Sequence, residues 1–170
     1  MHAQHHAQVL ETLGKVIATT KGHEEWDHCR DNAVTALGKI LYHQPALASG
    51  ALGAQLGKLW LDNLPICEDD VEAGPQHEIL HQLVLKNDAR VLGEANANLG
   101  QIASVFVRVI ARGNELLVDD NVEAFQAFFF KQLAPVLQRH GCNLQADVEA
   151  LEPQDRLRFT AAAQLHGAGA

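Results

Sequence analysis

His77-Glu78-Ile79-Leu80-His81 has the form H-E-x-x-H. On a helix it sets two imidazoles one turn apart on one face, with a glutamate placed to deprotonate a zinc-bound water. Zinc in such a site needs a third protein ligand, and the extended motif asks for Gly and His where this chain has Val84 and Asn87. Glu94, the nearest downstream carboxylate, sits in a Gly-, Ala- and Asn-rich stretch and not on a second helix carrying the expected motif. The dipeptides His23-Glu24 and His77-Glu78 offer two His-Glu ligand pairs, but a di-iron centre built from such pairs takes four, and His23 follows Gly22 in a loop. No Gly-rich phosphate loop, Cys-His pairing or G-x-S-x-G elbow occurs elsewhere. His2, His5 and His6 at the N-terminus make no defined site. With ten histidines in the chain a chance match is unsurprising. The expectation is a non-catalytic protein with no cofactor and no metal.

The elements that carry these residues are helical. The apolar share is 47%, rich in Ala, with only 5% aromatic residues, a mix that suits close-packed helices and excludes an all-β fold. A formal net charge of −8 without basic runs argues against nucleic acid as partner and is compatible with basic protein segments. Three cysteines, Cys29, Cys67 and Cys142, lie far apart without Cys-x-x-Cys spacing, as expected of reduced thiols in the cytosol or nucleus. No stretch approaches the roughly 18 apolar residues of a membrane span, and the N-terminus lacks an apolar signal core, so no membrane insertion is expected.

Periodicity predicts seven helices. They fall at about residues 3–20 (Val9, Leu10, Leu13, Val16, Ile17), 25–43 (Val34, Leu37, Leu41), 52–63 (Leu52, Leu56, Leu59, Trp60) and 76–87 (Leu80, Leu83, Val84). The remaining three fall at 98–112 (Leu99, Ile102, Ala103, Phe106, Ile110), from near 121 with a bend or break at Pro135, and 153–165 with proline in its first turn. The tail from Gly167 is expected to fray. Acidic residues gather where the second, fourth and sixth helices begin, as N-terminal caps would: Glu24, Glu25, Asp27 and Asp31; Glu68, Asp69, Asp70 and Glu72; Asp119, Asp120 and Glu123. Asp31-Asn32-Ala33-Val34 echoes Asp120-Asn121-Val122 two periods of about 44 residues later, and ~40 to 47 residues is the HEAT period. The expected fold is an all-α HEAT-repeat (ARM-type) solenoid: one segment, 1–170, with repeats at about 25–64, 70–112 and 120–166 after a half repeat at 3–20. A chain starting mid-repeat is expected to be the C-terminal fragment of something longer, with apolar surface open on its first helix.

Three stretches then resemble a known family, the karyopherin-β (importin-β) nuclear transport receptors, and within it the importin-4 and importin-5 class. Asp31-Asn32-Ala33-Val34 followed by Ala36-Leu37-Gly38-Lys39-Ile40-Leu41 resembles an outer-helix motif of that class. Leu59-Trp60-Leu61-Asp62-Asn63-Leu64-Pro65-Ile66-Cys67-Glu68-Asp69 resembles its Trp-Leu then Leu-Pro-x-x-Glu-Asp segment. Val91-Leu92-Gly93 with Asn96-Ala97-Asn98-Leu99 and Gln101-Ile102 resembles the loop and inner helix that follow, so the resemblance covers about 27–110. It implies a superhelix of antiparallel helix pairs, the second helix of each lining a concave surface for cargo. It further implies partners (protein cargo with basic localisation signals, nucleoporins, and the GTPase Ran through N-terminal repeats this chain lacks) and shuttling between cytoplasm and nucleus. If the helices around Trp60 and Phe106 face inward, Asp62, Asn98 and Arg108 would face cargo; Trp60 itself is expected in the core. The alternative is a HEAT scaffold outside nuclear transport.

Overall fold

The computed structural model describes residues 2–167, with side chains from residue 8 onward; His2, His5, His6 and the tail beyond Gly167 therefore fall outside what can be said of side chains or tail. Among the described residues the chain is helical, without strand. The helices are α1 (His2–Thr20), α2 (Asp27–His43), α3 (Gly50–Leu61), α4 (Asp70–Leu85), α5 (Ala89–Leu92), α6 (Leu99–Arg112), α7 (Val122–Phe128), α8 (Ala134–Arg139), α9 (Leu144–Glu149) and α10 (Pro153–Leu165). None is long and apolar enough to cross a membrane.

One continuous apolar core runs from Leu10 on α1 to Ala162 on α10. Helix α2 lies against α1, α3 and α4, while α6 lies against α7, α8, α9 and α10. Helix α1 buries Leu10 and Ile17 against its neighbours, and among its described side chains Val9, 51% exposed, lines an open groove with Thr12 and Leu13. On α2, Val34, Leu37 and Leu41 are buried as their spacing predicts. Beside them Gly38 carries a crossing. A Cβ there would lie 2.0 Å from Gln76 Oε1 and 2.6 Å from Trp60 Nε1, so only glycine lets α3 and α4 meet on this face. Gly53 and Gly57 do the same for α3, where a Cβ would come within 2.1 Å of the Ala48 and Arg90 carbonyls.

Three features differ from expectation. Helix α4 starts at Asp70, six residues before the predicted start, and runs through Pro75. The side chain of Asp69 caps it, Oδ1 accepting from the Val71 and Glu72 amides at 3.1 and 3.0 Å. The carbonyl that Pro75 cannot bond belongs to Val71, an 81% exposed residue, so water is available to it.

Pro135 does not break the next helix. Phe129–Leu133 form a π-helical turn that joins α7 to α8, the Ala134 amide reaches back to the Phe129 carbonyl, and Pro135 then sits in the first turn of α8, where no partner is required. This rod buries Phe128, Phe129 and Phe130 in succession. Phe129 stacks on Phe106 of α6 (centroids 5.7 Å apart), and Phe130 packs on Phe159 of α10 (5.5 Å). The short helices α5 and α9 are additional to the seven expected; Asp88 and Asn143 cap them, accepting from Arg90 and Ala146 amides.

Candidate functional site

The H-E-x-x-H residues lie on α4, but both rings point into the protein. His77 is fully buried, and its Nδ1 lies 2.7 Å from the Leu116 carbonyl, which makes it the protonated nitrogen that donates. Burial, helped by the positive charge of Arg108 and opposed by the Leu116 bond, lowers the His77 pKa to about 4, so the ring is neutral at pH 7. Its Nε2 is buried and without a partner. His81 lies against Phe128 and edge-on to Phe125, with centroids 4.5 and 5.7 Å away. Glu78 turns to its own helix: Oε1 accepts from Gln82 Nε2 at 2.9 Å, and Oε2 lies 3.5 Å from His81 Nδ1. Among the described residues no three His, Cys, Asp or Glu side chains converge as a metal site would require. The motif thus contributes two core imidazoles, one tying α4 to the chain after α6.

Two further surfaces among the described residues bear on function. The first is a cleft of about 200 Å³ between the C-terminal end of α4, the connection 86–98 and the α7–α8 rod. Its floor is apolar, built from the buried Val84, Leu92, Leu99, Phe128 and Leu133, with Leu85 46% exposed at one edge. Asn87, Asn96 and Gln132 add three amides to its lining. The π turn and left-handed backbone at Asn87, Ala95 and Asn96 (φ 53°, 51° and 65°) shape two of its walls. An apolar socket lined with amides accepts an aromatic or branched side chain and bonds the peptide groups flanking it.

The second is the face of α6 away from the core. Its buried positions include Val105, Val107, Val109 and Ala111 as well as the expected stripe, so the helix is enclosed except along Gly100, Gln101, Ser104, Arg108 and Arg112. Arg108 Nε donates to the Ser104 carbonyl at 3.2 Å and Nη2 to the Leu64 carbonyl at 3.0 Å, tying α6 to the loop after α3. Asp62, two residues from Leu64, ends α3 and pairs with Lys58. Asn98 lies three turns away from Arg108, roughly 15 Å along the axis. Its Nδ2 donates to the Val91 carbonyl at 2.9 Å, and its amide packs over Gly93, where a Cβ would come within 3.0 Å. Asp62 and Arg108 therefore share one region; Asn98 braces the loop before α6. Trp60 is fully buried, its Nε1–H donating to Gln76 Oε1 at 3.1 Å.

The cleft was missed in the sequence because its lining is drawn from four separate segments and is closed by a π turn that no side-chain periodicity encodes. Its best signal was the polar Asn87 and Asn96 flanking a short apolar run. Comparison of the chain with protein families, with curated proteins and with solved structures gives no match.

Proposed function

We propose that this chain is a HEAT-type α-solenoid segment of an importin-β-type nuclear transport receptor, and that it works by binding proteins and not by catalysis. In this reading it shuttles between cytoplasm and nucleus, and its partners are cargo proteins with basic localisation signals and nucleoporins. Ran in its GTP form releases cargo through N-terminal repeats outside this sequence. The resemblance in residues 27–110 motivates the family, and it is supported by the packing of α2 on α3 and α4 and of α6 on α10, contacts that stacked helix pairs would make.

The observation that carries the reading is the cleft between two successive first helices. A phenylalanine ring followed by glycine, the unit repeated in nucleoporins, matches a socket with an apolar floor and amides in its lining, because the glycine lets the peptide groups approach Asn87, Asn96 and Gln132. Fluorescence anisotropy with a labelled Phe-Gly repeat peptide and, separately, a basic localisation peptide tests it. Binding of the Phe-Gly peptide that fails when Phe is replaced by Ser is the expected result. No binding of either peptide overturns transport and leaves a HEAT scaffold of another kind.

A further inference from the structure

Arginines that lose water on folding ordinarily find a carboxylate. Here Arg30 pairs with Asp27, Arg90 with Asp88 and Arg112 with Glu115. Arg108 is the exception: among the described residues it is the half-buried arginine with no carboxylate within ion-pair distance. Desolvation raises the pKa of the Cys67 thiol, so it carries no charge to offset the guanidinium, and Asp147 on α9 feels the guanidinium charge without pairing to it.

The guanidinium is nevertheless held in one orientation. Nε and Nη2 are fixed on the Ser104 and Leu64 carbonyls. Nη1 has no protein acceptor and is not among the buried unpartnered atoms, so it opens to solvent. Each terminal nitrogen carries two hydrogens, so Nη1 and the second hydrogen of Nη2 present an end-on fork, the geometry that a carboxylate fills. The neighbouring cation on the strip, Arg112, is already neutralised by Glu115, at 2.6 Å.

We propose that Arg108 anchors an aspartate or glutamate side chain of an acidic protein segment lying along the open strip of α6. A phosphate backbone is the poorer occupant, because it is held by a run of cations and the strip offers one unpaired cation, Arg108, its neighbour Arg112 being neutralised by Glu115. The inference rests on reading this chain as a protein-binding one. It assigns this strip a partner of opposite sign to a basic localisation signal, and it fails or stands independently of the α4 cleft.

The test titrates the whole chain, at low ionic strength, with a labelled short peptide of alternating Glu and Gly, using the matching Lys-Gly peptide and inorganic phosphate as competitors. Wild type binds the acidic peptide, Arg108→Gln weakens it about tenfold, and Arg108→Lys restores only part, since an ammonium cannot fill the fork. Neither competitor displaces the peptide at equal concentration. Since Arg108→Gln also removes two internal hydrogen bonds, the wild-type Arg108 Nε–H resonance is followed in parallel, and it shifts as the acidic peptide is added. An unmoved resonance, equal affinity in the Gln variant, or displacement by phosphate overturns the proposal.

Discussion

Trp60 and Gln76 join through a buried hydrogen bond of 3.1 Å that passes directly over Gly38, locking α2, α3 and α4 at one point. A methyl group on Gly38 has nowhere to go, because Gln76 Oε1 would lie 2.0 Å from it. Gly38→Ala is expected to destabilise by about 3 kcal/mol, the upper part of the overpacking range, despite the higher helix propensity of alanine. Denaturant unfolding measures it; a variant as stable as wild type would mean that the three helices do not meet here.

Acid should act on His77. Its folded pKa of about 4 lies below the roughly 6.5 of an unfolded histidine, so the unfolded chain takes up a proton first as pH falls. Stability from this group is complete above about pH 6.5 and is lost progressively as pH falls through 4, by ~3 kcal/mol at most. Asp31 works the other way, since burial raises its pKa, so acid favours its folded form. His77→Gln, which keeps a donor for the Leu116 carbonyl, should flatten the pH dependence of the unfolding midpoint between 6.5 and 4. An unchanged slope would contradict the buried, neutral histidine.

The aromatic stack gives a third expectation. Phe106 lies face to face with Phe125 at 4.5 Å and with Phe129 at 5.7 Å, so it joins α6 to both α7 and the π turn. Phe106→Ala should cost about 3–5 kcal/mol. Glu115→Gln, on the exposed Arg112–Glu115–Arg158 network, should change stability by well under 1 kcal/mol. Reversal of that order in thermal melts would mean that the C-terminal half is held by its ion pairs and not by its core.

Much of this fold is legible in the residues, and the exceptions have physical causes. The stripes on α2 and α6 follow from apolar spacing, and α10 begins at Pro153, where its sequence says it should. Pro75 and Pro135 mislead as stop signals, because a cap at Asp69 and a π turn at Phe129–Leu133 make each proline affordable to its helix. The H-E-x-x-H spacing places His77 and His81 on one face of a helix, but whether that face looks outward is decided by Leu116, Phe125 and Phe128, far away in sequence. The same holds for Arg108, whose lack of a carboxylate depends on where the Leu64 loop and α9 come to rest.

The claim that this chain binds proteins in nuclear transport meets its most direct test at the α4 cleft. Methyl NMR spectra of the whole chain would be recorded while a Phe-Gly repeat peptide is added, for wild type and for Leu85→Glu, a change at a 46% exposed position that should leave folding intact. Saturable shifts confined to the Leu85, Leu92, Leu99 and Leu133 methyls, abolished in the Glu variant, are expected. Shifts absent from wild type, spread evenly over the surface, or unchanged in Leu85→Glu would contradict the claim.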